Sequence, residues 1–348
     1  MRQQISRLRR LAALTVAGLA VATGSWIGAT GAAAAPIDPF YTPPAQLPSA
    51  PGSIVKSEPM AVFATLPGQD GWPVSAQRVM YTSRTQDGVP VAVSGTFLDA
   101  THPWRGSGPR PTVVIAPGTS GQGRQCAPSI AFSTGFVVSP DQLSVSPNQE
   151  AISAGAWSEL GARVLVTDYI GLGTPGMHTY VNRVEEAHAV LDAARAANNL
   201  GHVGSGNPVV FWGYSQGGGA TAAAAELQPT YAPELNLKGT WAGAPPADLV
   251  ATLQRVDGNL IGGVIGYAVN GFVARYPELR NTLNSLASPQ GLAVLNALST
   301  ECIGDTILRH PFLHSNEFTA DHQPLLGHLE AVPAAAKILS DQRIGTLT

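Results

Sequence analysis

The sequence predicts an α/β protein with a mostly parallel central sheet, and three observations support this class. Two short, continuously apolar runs at residues 113–115 and 164–166 are bounded by turn residues, a pattern typical of strands buried on both faces of a sheet. A helical pattern rich in Ala, Leu and Glu covers residues 184–200. Strands and helices alternate at about the spacing of βαβ units, and strand-like runs disappear beyond Asp248.

Residues 1–35 have the pattern of a secretory signal peptide. Four arginines precede an apolar run at residues 11–27, and a stretch of small residues follows at 31–35, which is the order of such signals. A transmembrane anchor is the alternative, but the run is near the lower length limit for one and is interrupted by Gly, Thr and Ser. Cleavage after Ala33 or Ala34 removes four arginines and no acid, so the net charge changes from −3 to −7. The predicted location is extracellular or in the cell envelope.

The remaining chain divides into an arm, a body, a cap and a short return. Six prolines within residues 36–51 exclude helix and ladder pairing there, so residues 36–75 are predicted to form an extended arm. The α/β body covers residues 76–247, a helical cap or lid covers 248–335, and residues 336–348 begin the return to the body. Strand-like runs in the body occupy residues 78–85, 89–98, 111–116 and 162–167.

Within the cap, residues 258–273 predict one broad apolar helix face. Pairs of apolar residues recur there every four positions, with Gly258, Gly262 and Gly266 between them. The stretch 260–273 is a candidate interfacial lid, and a helix packed within the cap is the alternative. Further helices are predicted at residues 277–287, 291–298 and 333–339.

The composition excludes several classes of protein. The chain has 348 residues, of which 44% are hydrophobic and 12% charged, about half the roughly 25% charged residues of ordinary soluble domains. An intrinsically disordered chain would combine low hydrophobicity with high net charge. Nucleic acid is not an expected partner, because the net charge is −3 and no basic stripe could neutralise phosphates. No metal-site cluster or dinucleotide fingerprint appears in the sequence, so no metal or cofactor is predicted.

Export changes the expectation for the two cysteines, Cys126 and Cys302. In an oxidising compartment, two cysteines separated by a long loop favour a disulfide over metal ligation. Two buried free thiols are the alternative at this point.

The residue that indicates chemistry is Ser215. Residues 213–217 read G-x-S-x-G between a buried-strand pattern and an Ala-rich helix, which is the context of a nucleophile elbow. Such a turn holds the serine in a strained backbone conformation, and Gly213 and Gly217 avoid collisions that side chains would cause. The hydroxyl then lies at the positive end of the helix dipole. An ordinary Gly-rich helix start is the alternative, but the flanking strand and helix disfavour it.

An acyl-transfer serine also needs backbone donors for the developing oxyanion. One is expected to be the amide of Gln216, directly after the nucleophile. The second usually comes from the loop after an earlier strand, here residues 117–123, with Thr119 or Ser120 as the donor. Phosphate cradling is the competing interpretation of this Gly-rich loop, but the G-x-x-x-x-G-K-[ST] motif is absent and no lysine is nearby.

Three motifs in the correct order resemble the secretory (LIP-type) lipases. They lie at residues 116–129, 167–176 and 213–218, and the resemblance covers roughly residues 40–348. It implies an α/β-hydrolase fold with a helical lid, hydrolysis of triacylglycerols and other carboxylic esters, and contact with a lipid–water interface. It also implies that cysteines matching Cys126 and Cys302 are joined.

The rest of a catalytic triad is not evident in the sequence. In this fold the acid and the histidine follow Ser215 in that order, each after a late strand. The acids and histidines available after Ser215 follow no strand-like run; they include Asp248, Asp257, Asp305, Asp321, Asp341, His310, His314, His322 and His328. His310 and His314 are four residues apart, but Pro311 interrupts a helix between them, so polar cap residues are favoured over a metal pair or a triad base. From the resemblance, we expect the acid and the histidine beyond residue 348.

The sequence therefore predicts a secreted serine ester hydrolase, most simply a triacylglycerol lipase or carboxylesterase acting through a Ser215 acyl-enzyme. Two alternatives belong to other classes. One is a catalytically inactive, truncated lipase-like protein that binds lipid. The other is a surface protein that keeps the hydrolase body as a scaffold for an envelope partner.

Overall fold

A mixed sheet forms the frame of the body in the computed structural model, which describes residues 38–63, 71–139 and 144–346. The predicted signal peptide lies outside these residues. The described part of the chain contains nine strands: β1 (Ile54–Pro59), β2 (Val74–Arg84), β3 (Pro90–Ala100), β4 (Thr112–Ala116), β5 (Phe136–Ser139), β6 (Ser144–Pro147), β7 (Arg163–Thr167), β8 (Pro208–Tyr214) and β9 (Asn236–Gly243).

Seven of these strands form the central sheet, in the order β1-β2-β3-β7-β4-β8-β9, while β5 and β6 pair separately. Strands β7, β4, β8 and β9 run parallel, and β1, β2 and β3 extend the sheet with antiparallel pairing up to β7. At the centre, Val114 lies opposite Leu165 on one side and Phe211 on the other, and all three are fully buried. The α/β class and the buried strands predicted at 111–116 and 162–167 are confirmed.

Eleven α-helices lie in the same part of the chain: α1 (Pro128–Thr134), α2 (Ala151–Glu159), α3 (Arg183–Leu200), α4 (Gln216–Tyr231), α5 (Leu249–Val256), α6 (Val264–Arg275), α7 (Leu279–Leu286), α8 (Pro289–Leu298), α9 (Ile303–Arg309), α10 (Leu325–Ala331) and α11 (Pro333–Asp341). Helices α3 and α4 cover one face of the sheet, where Ala and Val side chains of α3 pack against β2, β4 and β7. None of the helices described is long and apolar enough to cross a membrane.

The arm predicted at residues 36–75 is more regular than an extended arm, although strand pairing begins only after the proline-dense stretch at 36–51. Pro39–Tyr41 forms a short 3₁₀ helix, and β1 pairs antiparallel with β2, although with an irregular register at its start. The physical reason is that the dense prolines end at Pro51, so the backbone donors from Ile54 onward are free to join the sheet.

The apolar helix predicted at 258–273 is also shorter than expected, because α6 begins only at Val264. Gly258 has φ +70, and its amide donates to the carbonyl of Leu313 at 3.0 Å. A Cβ on Gly262 would lie 2.2 Å from the same carbonyl oxygen. These two glycines therefore allow a turn to approach a neighbouring loop closely, which helical spacing alone does not reveal.

The cap has an apolar core of its own, built on Ile265 and Tyr267 of α6 and on Leu295 and Leu298 of α8. It is nevertheless tied to the body, since the described residues from Asp38 onward belong to one compact unit. One tie is an ion pair between Arg275, at the end of α6, and the buried carboxylate of Glu185 on α3.

Candidate active site

Ser215 is the single residue between the end of β8 and the start of α4. Its backbone has φ 57° and ψ −119°, a combination that residues with a side chain rarely adopt. The Ser215 amide donates to the carbonyl of Gly243 at 2.8 Å, which holds the turn against the end of β9. The side chain is half-buried and lines a cavity.

The glycines on either side of Ser215 lie where no side chain fits. A Cβ on Gly213 would lie 2.1 Å from the carbonyl oxygen of Gly217, and a Cβ on Gly217 would lie 1.9 Å from that of Ala116. Gly218 is equally restricted, because its Cβ would lie 2.3 Å from the carbonyl oxygen of Gly243. The start of α4 can therefore pack directly on the ends of β4 and β9, which is how G-x-S-x-G permits the sharp turn.

The loop after β4 brings Thr119 to the same cavity as Ser215 and Gln216. The Gly118 amide is already engaged, since it donates to Oε1 of buried Glu150 at 2.9 Å. The Thr119 amide hydrogen meets no acceptor within the described residues. Its side-chain oxygen lies 2.8 Å from the hydroxyl of Tyr180. Thr119 is thus the residue of this loop that lines the cavity together with Ser215.

Ser120, the other candidate donor, lies on a different side of the loop. It lines a smaller pocket together with Cys126 and Pro128, and its carbonyl accepts from the amide of Ile303 at 2.9 Å. The structure joins Cys126 and Cys302 in a disulfide. The oxyanion loop predicted at residues 117–123 is consequently linked to the beginning of α9 in the cap.

Beneath the elbow, the side chain of Gln216 enters a buried polar network that the sequence did not reveal. Its Nε2 lies 2.7 Å from Oε1 of Glu186 and 2.8 Å from Nε2 of His178. Burial raises the pKa of Glu186 to about 8 and lowers that of His178 to about 4. No signal in the sequence indicates these contacts, because Glu186 lies beside Glu185 in a helix pattern that also contains His188 and Asp192.

The cavity above Ser215 has a volume of about 700 Å³, within the range of small-molecule sites. Apart from Ser215, Gln216 and Thr119, its walls are mainly apolar side chains of the cap, among them Leu253, Ile265, Val269, Phe272 and Leu283. Ser215 and the two residues predicted as oxyanion donors, Gln216 and Thr119, therefore line one mainly apolar cavity.

The histidines after Ser215 lie in the cap, and three of them lie near a carboxylate. His310 lies 3.4 Å from Glu301, and His328 lies 3.1 Å from Asp321. His314 lies 3.5 Å from Asp257, while His322 has an unusual positive φ of 56°. His310 and His314 therefore contact different carboxylates, and the described residues contain no group of three or more His, Cys, Asp or Glu side chains arranged to hold a metal ion. None of the described residues hydrogen-bonds the Ser215 hydroxyl.

The central sheet, the elbow at the end of β8 and the helical cap define an α/β-hydrolase. A sequence profile described as secretory lipase matches residues 141–347. Since this match covers more than half of the chain, the chain belongs to the secretory lipase family.

Individual relatives agree with this assignment. The chain is 29% identical over 323 residues to a probable inactive lipase of Mycobacterium tuberculosis, covering 89% of this chain and 67% of the relative. It is 28% identical over 297 residues to Lipase 5 of Candida albicans, covering 82% and 60%. The chain thus spans 60–67% of the length of these two relatives. Among solved structures, lipase A of Candida antarctica in its closed state matches with a TM-score of 0.73 and 23% identity, over 89% of this chain and 70% of that one.

Proposed function

We propose that this protein is a secreted serine ester hydrolase that acts on triacylglycerols and other carboxylic esters through an acyl-enzyme on Ser215. The observation that carries the proposal is the strained elbow, which exposes Ser215 to an apolar cavity beside the amides of Gln216 and Thr119. Membership of the secretory lipase family and the named lipases among its relatives support the same reaction class.

In the proposed reaction, the Ser215 oxygen bonds to the ester carbonyl carbon, and the bond from that carbon to the alcohol oxygen then breaks. The carbonyl oxygen carries the negative charge of the intermediate and accepts hydrogen bonds from the Gln216 and Thr119 amides. The serine proton passes to a base and from there to the departing alkoxide. Water then adds to the acyl carbon while one of its protons passes to the base. The bond from that carbon to the Ser215 oxygen breaks, the base returns the proton to this oxygen, and the fatty acid leaves.

A fluorophosphonate probe tests this proposal, with tryptic mass spectrometry to locate the adduct and a short-chain aryl ester to measure turnover. We expect covalent labelling at Ser215, no labelling in Ser215→Ala, and full labelling in the control Ser133→Ala, which changes an exposed serine on α1. A folded protein that neither reacts with the probe nor turns over the ester would overturn the proposal.

One observation favours a second candidate, a non-catalytic lipid-binding protein. A neutral serine needs an adjacent base to become nucleophilic, and no described histidine or carboxylate hydrogen-bonds Ser215. One relative is itself named a probable inactive lipase. Displacement of a fluorescent fatty acid distinguishes the two candidates. The lipid-binding candidate predicts that the fatty acid still binds Ser215→Ala but not Val269→Trp, in which the larger side chain fills the cavity. It also predicts that neither labelling nor ester turnover occurs.

A secreted location and contact with a lipid surface are part of the proposal. Leu260 and Ile261, in the turn before α6, are 43% and 38% exposed, so the accessible part of the predicted lid is this turn. The double change Leu260→Ser with Ile261→Ser should lower activity on emulsions more than on soluble esters; equal losses would argue against an interfacial role. N-terminal sequencing of protein collected from culture medium should find cleavage after Ala33 or Ala34.

A further inference from the structure

We propose that His178, Tyr180 and Glu186 are positioning residues that hold the two oxyanion donors, Gln216 and Thr119, in a fixed relation to each other. The inference rests on the proposed function of the elbow and goes beyond it, because none of the three side chains would act on substrate directly. Its basis is one hydrogen-bond network that reaches the side chains of both donor residues.

At the elbow, the network determines where the side chain of Gln216 points. Both hydrogens of its amide group find acceptors, Oε1 of Glu186 at 2.7 Å and Nε2 of His178 at 2.8 Å. The other ring nitrogen of His178, Nδ1, faces the carbonyl oxygen of Ile170 at 2.9 Å. Because a carbonyl only accepts, Nδ1 carries the ring proton and Nε2 is free to accept. Gln216 is 2% exposed, so water does not replace these contacts.

At the oxyanion loop, the segment between β7 and α3 makes three contacts. The Tyr180 hydroxyl lies 2.8 Å from Oγ1 of Thr119, and Nε2 of Gln122 donates to the carbonyl of His178 at 3.1 Å. Tyr169, whose ring stacks on His178, donates its hydroxyl hydrogen to the carbonyl of Pro117 at 2.8 Å. The loop that carries Thr119 is therefore held by the same segment that contacts Gln216.

A single carboxylate oxygen connects the two ends. Oε1 of Glu186 accepts from Gln216 and also from the amide of Val181 at 2.9 Å. Val181 has φ 57°, a conformation unfavourable for a β-branched residue. The hydrogen bond that the Val181 amide donates to Glu186 stabilises this strained turn, which places Tyr180 against Thr119. Loss of the acceptor would therefore release the Gln216 side chain and the Tyr180 turn together.

Such a role has a kinetic signature that simple core packing lacks. Oxyanion donors act only when they lie about 2.7–3.1 Å from the developing charge, and small displacements weaken transition-state binding more than substrate binding. Positioning therefore predicts a lower kcat with little change in KM. A purely structural role would lower stability while each folded molecule retained its kcat.

The test compares Glu186→Gln, which keeps an acceptor oxygen, with Glu186→Leu, which removes it. The matched control is Asp192→Leu. Asp192 lies on the same helix and is fully buried away from the cavity, and its carboxyl accepts hydrogen bonds from Ser83, Arg195 and Tyr231. Rates of fluorophosphonate reaction at Ser215 are measured at varied probe concentration, beside kcat and KM for a short-chain ester and urea unfolding.

We expect Glu186→Leu to lower kcat and the limiting labelling rate about tenfold or more, below the 10²–10³ lost when a whole donor is removed. KM and probe affinity should stay within about twofold, Glu186→Gln should restore most of the rate, and Asp192→Leu should lose stability only. The inference is overturned if folded Glu186→Leu keeps the wild-type kcat, or if Asp192→Leu lowers kcat equally. If Glu186→Leu does not fold, Tyr180→Phe tests the Thr119 end, and an unchanged labelling rate would refute that contact.

A separate measurement distinguishes this inference from the proposed function. Amide hydrogen exchange of peptides covering residues 116–122 and 214–218 reports on both donors without any reaction. Faster exchange of both peptides in Glu186→Leu, but not in Asp192→Leu, would support the positioning role even if wild-type protein failed to label. Unchanged exchange in both peptides would refute it even if labelling succeeded.

Discussion

Gly217→Ala is the sharpest single test of the elbow geometry. Gly217 is the second residue of α4, and an added Cβ would lie 1.9 Å from the carbonyl oxygen of Ala116 and 2.9 Å from that of Pro117. Ordinary C···O contacts begin near about 3.3 Å. The start of α4 would therefore have to move away from the end of β4 by more than about 1 Å, against backbone atoms that cannot rotate aside.

The expected magnitude follows from two opposing effects. Alanine is favoured over glycine within a helix by up to about 1 kcal/mol, whereas overpacking costs about 1–3 kcal/mol and more where backbone must shift. We expect a net loss of about 2 kcal/mol for Gly217→Ala. Gly327, the third residue of α10, has open space beside it, since no atom outside its chain neighbours and its own helix backbone lies within 4 Å of the point where a Cβ would sit. Gly327→Ala should therefore gain about 0.5–1 kcal/mol.

Urea unfolding followed by the fluorescence of the six tryptophans measures both variants, with the free energy of unfolding extrapolated linearly to zero denaturant. The two changes are chemically identical and both lie in the first turn of a helix. The difference between their effects on the free energy of unfolding therefore reports the contact of Gly217 with the end of β4. Equal stability of Gly217→Ala and wild type, or a shift of both variants in the same direction, would refute the packing described for the elbow.

Three further predictions concern the scaffold around the site. Replacing Cys126 and Cys302 by alanine opens a link between residues 176 positions apart, and the chain-entropy estimate gives a loss of about 5 kcal/mol in the urea experiment. Burial raises the pKa of Asp168 to about 6 from 3.8. The stability that this shift contributes is complete below pH 3.8 and is lost as the pH rises through 6. The free energy of unfolding should therefore fall by about 3 kcal/mol between pH 3.5 and 7, relative to that of Asp168→Asn. Arg275→Met leaves the buried Glu185 carboxylate without its cation and should cost about 1–3 kcal/mol by the same assay.

Each of these three predictions has a control. For the disulfide, adding reductant to wild type should reproduce the loss, and no effect of reductant would contradict the prediction. For Asp168, the comparison is between the two ends of the pH range, and a stability difference from Asp168→Asn that stays constant between pH 3.5 and 7 would contradict the prediction. For Arg275, the exposed Arg280→Met should be nearly neutral. Equal effects of the two arginine changes would mean that the buried ion pair contributes nothing.

The strands at the centre of the sheet were predictable because each of their residues meets apolar neighbours on both faces. Strand β4, Thr112–Ala116, is buried at every position, and its continuous apolar run reports this directly. Strand β9 was missed for the opposite reason. It lies at the edge of the sheet, and Lys238 and Gly239 are exposed, so neither alternation nor an apolar run marks it.

The candidate site divides in the same way between local and distant contacts. Ser215 and its flanking glycines follow from a five-residue motif, because the elbow is a local backbone structure. The contacts of Gln216 with Glu186 and His178 join residues 30 and 38 positions apart, and no periodicity within one helix encodes such a pairing. The choice between Thr119 and Ser120 likewise depends on which side of one loop faces the cavity, a tertiary property.

The motif at residues 167–176 supports the site without facing the cavity. Asp168 is fully buried and accepts from the Ser94 hydroxyl at 2.6 Å and from the Ser129 amide at 2.8 Å, which joins β3 to the start of α1 just after the disulfide cysteine. Tyr169 follows with φ 67° and reaches the carbonyl of Pro117. The acid in this motif thus holds the segment that follows the loop at residues 117–123, while the tyrosine contacts the loop itself. A carboxylate that directly follows a buried strand is typical of catalytic acids in α/β proteins. The hydrogen bonds of Asp168 with Ser94 and Ser129 instead indicate a structural role beneath the site.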